Sequence, residues 1–275
     1  MSSHSQPSLL HKYKGILFSA MSSEELLDSL DSFDAREDDI FLVSYPKSGT
    51  HWVAEVIENI PNAGITLTSP IEWGDVSKLK ELKMVPERRV IPTHLSYEMI
   101  PATVKQKQCK IVYVVRNPKD TAVSLFHYYK DNPNLPSTET WAAFLELWEK
   151  HKNDQNVLFL FYEEMKNDFA KSLKKITAFL GISVNDSEMS KIARNTSFNE
   201  MKSKVVKENC DPNHTICALT SNRNLVFHVF PGVVGDWINY FTPKQKRVFD
   251  EVFTEKMRHS DVGRCLKEYA NAVGK

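Results

Sequence analysis

The sequence predicts a single α/β domain in which a central parallel sheet is flanked by helices. The chain has 275 residues, which suits one large α/β domain or two small ones. Short apolar runs alternate along it with segments of helical periodicity. Strands that alternate with helices join through right-handed crossovers into a parallel sheet, and ligands bind such sheets at the carboxyl ends of the strands.

Four short apolar runs have the length and composition of buried parallel strands. They are Ile40–Ser44, Arg89–Thr93, Lys110–Val115 and Val157–Phe161. Helical patterns lie between and after them, at residues 50–60, 121–129, 138–150, Phe169–Leu180 and 244–257. Gly181 follows the fourth helical pattern in the position where glycine commonly ends a helix.

Composition excludes several function classes. Acidic and basic residues balance at 35 each, so the bulk charge gives no support to nucleic-acid binding. The apolar runs are too short to span a membrane, the first 13 residues lack the apolar core of a secretory signal, and four cysteines do not form a disulfide framework. We therefore expect a cytoplasmic protein with a flexible tail at 1–12 and one domain at 13–275, without nucleic-acid or membrane partners.

The turn after the first predicted strand has the composition of an anion site. Gly49 permits close backbone approach, and the first N–H groups of the next helix have no intrahelical partner. Lys47 adds a charge, and Ser48 and Thr50 add hydroxyl donors. A Walker A loop has its lysine after the second glycine, so this order argues against a P-loop kinase or NTPase. The alternative is an ordinary turn with a surface lysine.

The order Tyr-Pro-Lys-Ser-Gly-Thr, followed by Trp52, closely resembles the 5′-phosphosulfate loop of cytosolic sulfotransferases. The resemblance covers the chain from about Tyr13, and residues 32–39 are most similar to the family-six, thyroxine-type branch. It implies a P-loop-like sulfotransferase fold and 3′-phosphoadenosine-5′-phosphosulfate (PAPS) as co-substrate, with no metal. It also implies that Ser48, Gly49, Thr50, His51 and Trp52 bind the nucleotide with Lys47.

Other stretches extend the resemblance. Arg116, after the Lys110–Val115 strand, and Ser124 match the family's 3′-phosphate residues, although Arg116 pairing with Asp120 is an alternative. His94, after Arg89–Thr93, matches the general base that takes the acceptor proton. On the adenine side the matching residues are Trp52, Tyr162, Thr196 and Phe198, any aromatic of which could instead be core. Gly232 opens a late segment, Gly-Val-Val-Gly-Asp-Trp, which resembles the family signature that closes over the 3′-phosphate.

These residues imply transfer of the sulfuryl group to a hydroxyl of a small phenolic or alcoholic acceptor, with iodothyronines and thyroid hormone metabolism as one candidate. His94 would act as base, and Lys47 would neutralise the leaving phosphate oxygen. Cys210, His214 and Cys217 could suggest a zinc site, but no fourth ligand is evident and we treat the cluster as chance.

The sequence also departs from the family pattern. Phe230 and Pro231 stand where the family has Arg-Lys before Gly232, Pro92 replaces a lysine, and a segment that walls the acceptor pocket is missing between 150 and 157. These changes leave a second hypothesis, a PAPS- or PAP-binding pseudoenzyme. The family dimer patch is eroded at Ile238, Pro243 and Arg247, so the sequence does not support a homodimer.

Overall fold

The computed structural model describes residues 10–67, 69–131, 149–209 and 232–271. The strands are β1 (Leu10–Tyr13), β2 (Ile16–Ser19), β3 (Ile40–Ser44), β4 (Ile65–Thr66), β5 (Arg89–Thr93), β6 (Lys110–Val115) and β7 (Val157–Phe161). The helices are α1 (Glu24–Ser29), α2 (Thr50–Glu58), α3 (Ser77–Met84), α4 (Ala102–Gln106), α5 (Pro118–Asp131), α6 (Tyr162–Asn167), α7 (Phe169–Leu180), α8 (Asp186–Asn195), α9 (Phe198–Asn209), α10 (Pro243–Lys256) and α11 (Asp261–Asn271).

Five strands form one parallel sheet in the order β4-β5-β3-β6-β7. The sheet is buried on both faces because alternate residues of β3 enter different cores. Phe41 and Val43 pack in one hydrophobic cluster, whereas Ile40 and Leu42 pack in the other. This double burial explains the uninterrupted apolar runs, and the predicted α/β sheet flanked by helices is confirmed.

The structure matches the four predicted strands residue for residue. Helix α7 also has the predicted bounds, and Gly181 ends it with a φ of 73°. Helices α2, α5 and α10 differ from the predicted ranges at their ends. The predicted helix at 138–150 lies, up to residue 148, outside the described residues.

The first hairpin was not predicted. Strand β1 pairs antiparallel with β2 through a turn at Lys14 and Gly15, which both have positive φ. It therefore begins within the stretch that we expected to be a tail, while residues 1–9 lie outside the described part of the chain. The domain boundary at residue 13 stays a prediction. None of the described helices is both long and apolar enough to cross a membrane.

Candidate functional site

We call residues 44–52 the anion loop, because they connect the end of β3 to the start of α2. Gly49 is the N-cap of α2 with a φ of 107°, and Lys47 also has a left-handed backbone with a φ of 67°. The Ser48 N–H donates to the Tyr45 carbonyl at 3.1 Å, and the Ser44 and Thr50 hydroxyls are hydrogen-bonded to each other. The loop thus delivers the amino end of a nine-residue helix to the carboxyl edge of the sheet.

Gly49 is required by close packing as well as by its backbone angle. A Cβ built on Gly49 would lie 2.7 Å from Cδ2 of Tyr162, which is shorter than real Cβ contacts. Tyr162 opens α6 directly after β7, so two strand ends meet at this glycine. The anion loop is therefore in contact with an aromatic residue predicted to bind the nucleotide.

Lys47 is held inside the site rather than in solvent. Its Nζ lies 4.4 Å from the ring centroid of Tyr128 on α5. Burial, with a smaller contribution from the nearby Arg116 guanidinium, lowers the pKa of Lys47 to about 8. A bound anion would restore the charged form, so this lysine is suited to an anionic ligand.

His94 follows β5, and its imidazole is fixed by the neighbouring strand. The Nδ1 atom is 2.8 Å from the carbonyl oxygen of Ser44. A carbonyl can only accept, so Nδ1–H is the donor and Nε2 carries the lone pair of the neutral ring. His94, the predicted base, is therefore hydrogen-bonded directly to Ser44, the first residue of the anion loop.

Glu72, which we did not predict, fixes the backbone at Thr93 and His94, and so positions the His94 side chain. Its Oε2 accepts from the Thr93 hydroxyl at 2.8 Å, and its Oε1 accepts from the His94 N–H at 2.8 Å. Glu72 is buried. Because it lies 22 positions before His94, no local pattern in the sequence pointed to it.

Arg116 connects the anion loop to the end of β6. Its guanidinium lies over the Tyr162 ring at 4.5 Å from the centroid, and Nη1 donates to the Lys47 carbonyl at 3.0 Å. Its Nε is buried and has no hydrogen-bond partner among the described residues. The alternative pairing with Asp120 is not present, since no described contact joins the two as an ion pair.

Asp120 instead fixes the late segment, residues 232–237. Its two carboxylate oxygens accept the N–H groups of Gly235 at 2.8 Å and Trp237 at 3.0 Å. Beside it, the buried Lys119 lies over the Trp237 ring at 4.2 Å and pairs with Asp250 at 2.5 Å. A small cavity remains between this segment and α5. It is lined by Arg116, Asp120, Val123, Ser124, Gly232, Val233 and Asp236.

The aromatic residues predicted on the adenine side meet around Trp52. Its Nε1–H donates to the Thr196 carbonyl at 3.1 Å, and Tyr162 contacts its ring edge-on at 5.3 Å between centroids. The Tyr162 hydroxyl donates to the Gly232 carbonyl at 3.0 Å. Phe169, which we did not predict, stacks on Trp52 at 6.2 Å. Phe198 begins α9 and is half-buried. That the adenine ring is held between Trp52 and Phe198 stays a prediction.

Phe230 and Pro231, which depart from the family pattern, lie outside the described residues. The cluster of Cys210, His214 and Cys217, which we treated as a chance match to a zinc site, also lies outside them. Pro92 is described, and it lies inside β5 opposite Leu42. Among the described residues no group of three or more His, Cys, Asp or Glu side chains could hold a metal ion. In the eroded dimer patch, Thr242 caps α10 by accepting from the Gln245 N–H at 3.2 Å.

Comparison with known proteins gives consistent findings. The model of the sulfotransferase domain family matches residues 37–261. Sulfotransferase 6B1 of Mus musculus is 32% identical over 279 residues, covering 93% of this chain and 88% of that protein. Sulfotransferase 1C2 of Homo sapiens is 31% identical over 268 residues, covering 86% and 89%. The crystal structure of mouse sulfotransferase SULT7A1 complexed with PAP is 76% identical, covers 96% of this chain and 99% of that chain, and superposes with a TM-score of 0.83.

Proposed function

Because this chain belongs to the sulfotransferase family, with a domain match over residues 37–261, we propose that it transfers the sulfuryl group of PAPS to a small hydroxyl acceptor. PAPS is the co-substrate, since the similar mouse protein was crystallised with PAP, the desulfated product. The observation that carries the proposal is the 2.8 Å contact between His94 Nδ1 and the Ser44 carbonyl, which supports His94 as a base beside the anion loop.

Transfer in this site is an in-line displacement. The acceptor oxygen attacks sulfur, its proton passes to His94 Nε2, and the bond between sulfur and the 5′-phosphate oxygen breaks. Lys47 neutralises the charge that develops on that oxygen, helped by the loop N–H groups at the start of α2. The rest of the binding site for the 5′-phosphosulfate consists of Ser48, Gly49, Thr50, His51 and Trp52.

The remaining predicted residues fit the rest of the nucleotide. Arg116 and Ser124 line the cavity beside Gly232, and the unpartnered Nε of Arg116 suits a 3′-phosphate oxygen. We assign the adenine to Trp52, Tyr162, Thr196 and Phe198, and the contacts of Trp52 with Thr196 and Tyr162 support this assignment. We propose phenolic or alcoholic acceptors, and the similarity of residues 32–39 to the thyroxine-type branch supports including iodothyronines and thyroid hormone metabolism.

Other properties stay predictions. A cytoplasmic location and the lack of nucleic-acid or membrane partners rest on composition alone. We do not propose the family homodimer, because Ile238, Pro243 and Arg247 depart from its pattern.

A second candidate function is a pseudoenzyme that binds PAPS or PAP without turnover. The sequence before Gly232 favours it, because Phe230 and Pro231 replace two cations. The shortened segment before β7 also removes part of the acceptor wall. Both hypotheses share the nucleotide site and differ only in turnover.

The test is transfer of labelled sulfate from PAPS by the purified protein to a panel of phenols, alcohols and iodothyronines. We expect turnover that falls at least about a thousandfold in His94→Ala, because both proton removal and positioning are lost. His259→Ala, at an exposed histidine after α10, is the matched control and should keep full activity. PAP binding without any turnover would support the pseudoenzyme instead.

A further inference from the structure

Lys166 lies at the nucleotide site, although no sequence pattern singled it out. It is on α6, one turn after Tyr162, and it is only partly exposed to solvent. Its Nζ is 5.2 Å from the Trp52 ring centroid and 5.9 Å from that of Tyr162. Its Cε is 3.6 Å from the position that a Cβ on Gly232 would occupy. Lys166 therefore lies between the aromatic residues and the start of the late segment.

The charge of Lys166 is not neutralised by a neighbour. Desolvation, and then the Arg116 guanidinium, lower its pKa, so two cations face the same region. No described carboxylate forms an ion pair with Lys166. By contrast, Lys175 on the adjacent α7 pairs with Glu164 at 2.7 Å. An anion between Lys166 and Arg116 would relieve their repulsion and bind to both.

The cavity beside Gly232 needs a second positive charge to hold a phosphate monoester, which carries nearly two negative charges at neutral pH. Among the described residues that line it, Arg116 is the only basic one, and its Nη1 already donates to the Lys47 carbonyl. Asp120 and Asp236 line the same cavity. Residues 224–231, which precede Gly232, contain neither lysine nor arginine.

We propose that Lys166 is a nucleotide-binding residue that supplies the second positive charge at the 3′-phosphate of PAPS and PAP. The side chain of Lys166 approaches Gly232, a lining residue of this cavity, from α6. Its charge would take the place of the two cations that Phe230 and Pro231 do not supply. This inference rests on the proposed function, because it assigns a residue to the same nucleotide site.

Packing against aromatic rings is the other role that this position allows. Methionine has a similar unbranched shape and packs well on aromatic rings, so it would preserve that role without the charge. Arginine would preserve the charge. Adenosine 5′-phosphate lacks the 3′-phosphate, so its affinity measures binding by the rest of the nucleotide site.

The experiment measures dissociation constants for PAP by calorimetry and for adenosine 5′-phosphate by competition against PAP. We expect Lys166→Met to weaken PAP binding roughly ten- to a hundredfold, with less than about a threefold change for adenosine 5′-phosphate. Lys166→Arg should keep most of the PAP affinity. Lys175→Met, which removes a lysine of the neighbouring helix, should leave it unchanged.

Three results would overturn the inference while leaving the proposed function intact. They are an unchanged PAP affinity in Lys166→Met, an equal loss for both nucleotides, and a loss in Lys166→Arg as large as that in Lys166→Met. If the folded wild-type protein bound no PAP at all, the proposed function would fail together with the inference.

Discussion

Lys47 and Gly49 both have left-handed backbone angles within the anion loop, with φ values of 67° and 107°. Left-handed angles are unfavourable for a residue with a side chain, so the lysine conformation is maintained by surrounding contacts. One of these is the 3.0 Å hydrogen bond from Arg116 to the Lys47 carbonyl. The same backbone therefore positions the charge that we assign to the 5′-phosphate of PAPS and orients the arginine that we assign to its 3′-phosphate.

Substitution of Gly49 tests this packing. Gly49→Ala introduces both an unfavourable φ of 107° and a Cβ that clashes with Tyr162, whereas Gly15→Ala introduces a positive φ of 81° with nothing within 4 Å of its Cβ. We expect Gly15→Ala to lower the free energy of unfolding by about 1–2 kcal/mol. Gly49→Ala should cost about 1–3 kcal/mol more. Equal changes in denaturant-induced unfolding would show that Tyr162 does not confine the loop.

The lowered pKa of Lys47 predicts proton uptake on nucleotide binding. In the free protein this pKa is about 8, below the ordinary 10.5, and a bound anion should raise it. Between pH 7.5 and 9.5 the affinity for PAP should therefore fall as pH rises, because neutral Lys47 must first be protonated. Calorimetry at pH 8.5 in buffers of different ionisation enthalpy should detect uptake of about 0.7 proton.

Lys47→Arg is the control for this linkage, because arginine stays charged throughout that range. Its proton uptake at pH 8.5 should vanish. The same uptake in Lys47→Arg as in the wild type would assign the proton to another group.

At the residue scale, sequence reasoning named Lys47, Gly49, His94 and Arg116 because each lies within five residues of the end of a recognisable strand and matches a motif of the family that the sequence resembles. Glu72 and Lys166 could not be found in this way. Glu72 contacts His94 across 22 positions of chain, and Lys166 approaches the Trp52 ring through the length of its side chain. Such contacts are set by tertiary packing and leave no local pattern.

At the scale of elements, strand ends and helix starts converge because the sheet is parallel. Strands β3, β5, β6 and β7 were predictable because their residues are apolar on both faces. Strand β4 has only two residues, and β1 includes the polar His11 and Lys12, so neither gave a strand pattern. Asp120 then joins α5 to the late segment, an element-to-element contact that the sequence reading missed.

Removing the Asp120 carboxylate should loosen the late segment. Asp120→Ala leaves the Gly235 and Trp237 N–H groups without their acceptor, at a cost of about 1.5–3 kcal/mol for each bond to a charged group. Hydrogen exchange should become faster at residues 232–242, and PAP affinity should fall. Asn185→Ala, which removes the cap of α8, should not change exchange there. Unchanged exchange in Asp120→Ala would contradict this role.

At the scale of the molecule, hydrophobic clusters on the two faces of the sheet hold the five strands together. One buried ion pair lies at the edge of this core. Arg89 in β5 donates through Nε to Asp39 Oδ1 at 2.7 Å and through Nη1 to the Leu82 carbonyl at 3.0 Å. Both charged side chains are buried, so each depends on the other for compensation.

Arg89→Met should therefore destabilise the whole domain. It leaves the Asp39 carboxylate buried without its cation, and we expect a loss of about 3–5 kcal/mol in the free energy of unfolding. Lys14→Met removes the exposed pair with Asp31 and should barely change the denaturation midpoint. If Arg89→Met unfolded at the same denaturant concentration as Lys14→Met, the buried ion pair would make no contribution to the free energy of unfolding.

We propose that the anion loop holds the phosphosulfate end of PAPS, and calorimetric titration of the folded protein with PAP is the decisive measurement. We predict saturable binding with one site per chain, which Lys47→Ala weakens at least about tenfold and Lys171→Ala, on α7, does not. Failure of the folded wild-type protein to bind PAP, or equal affinity in Lys47→Ala, would contradict the claim.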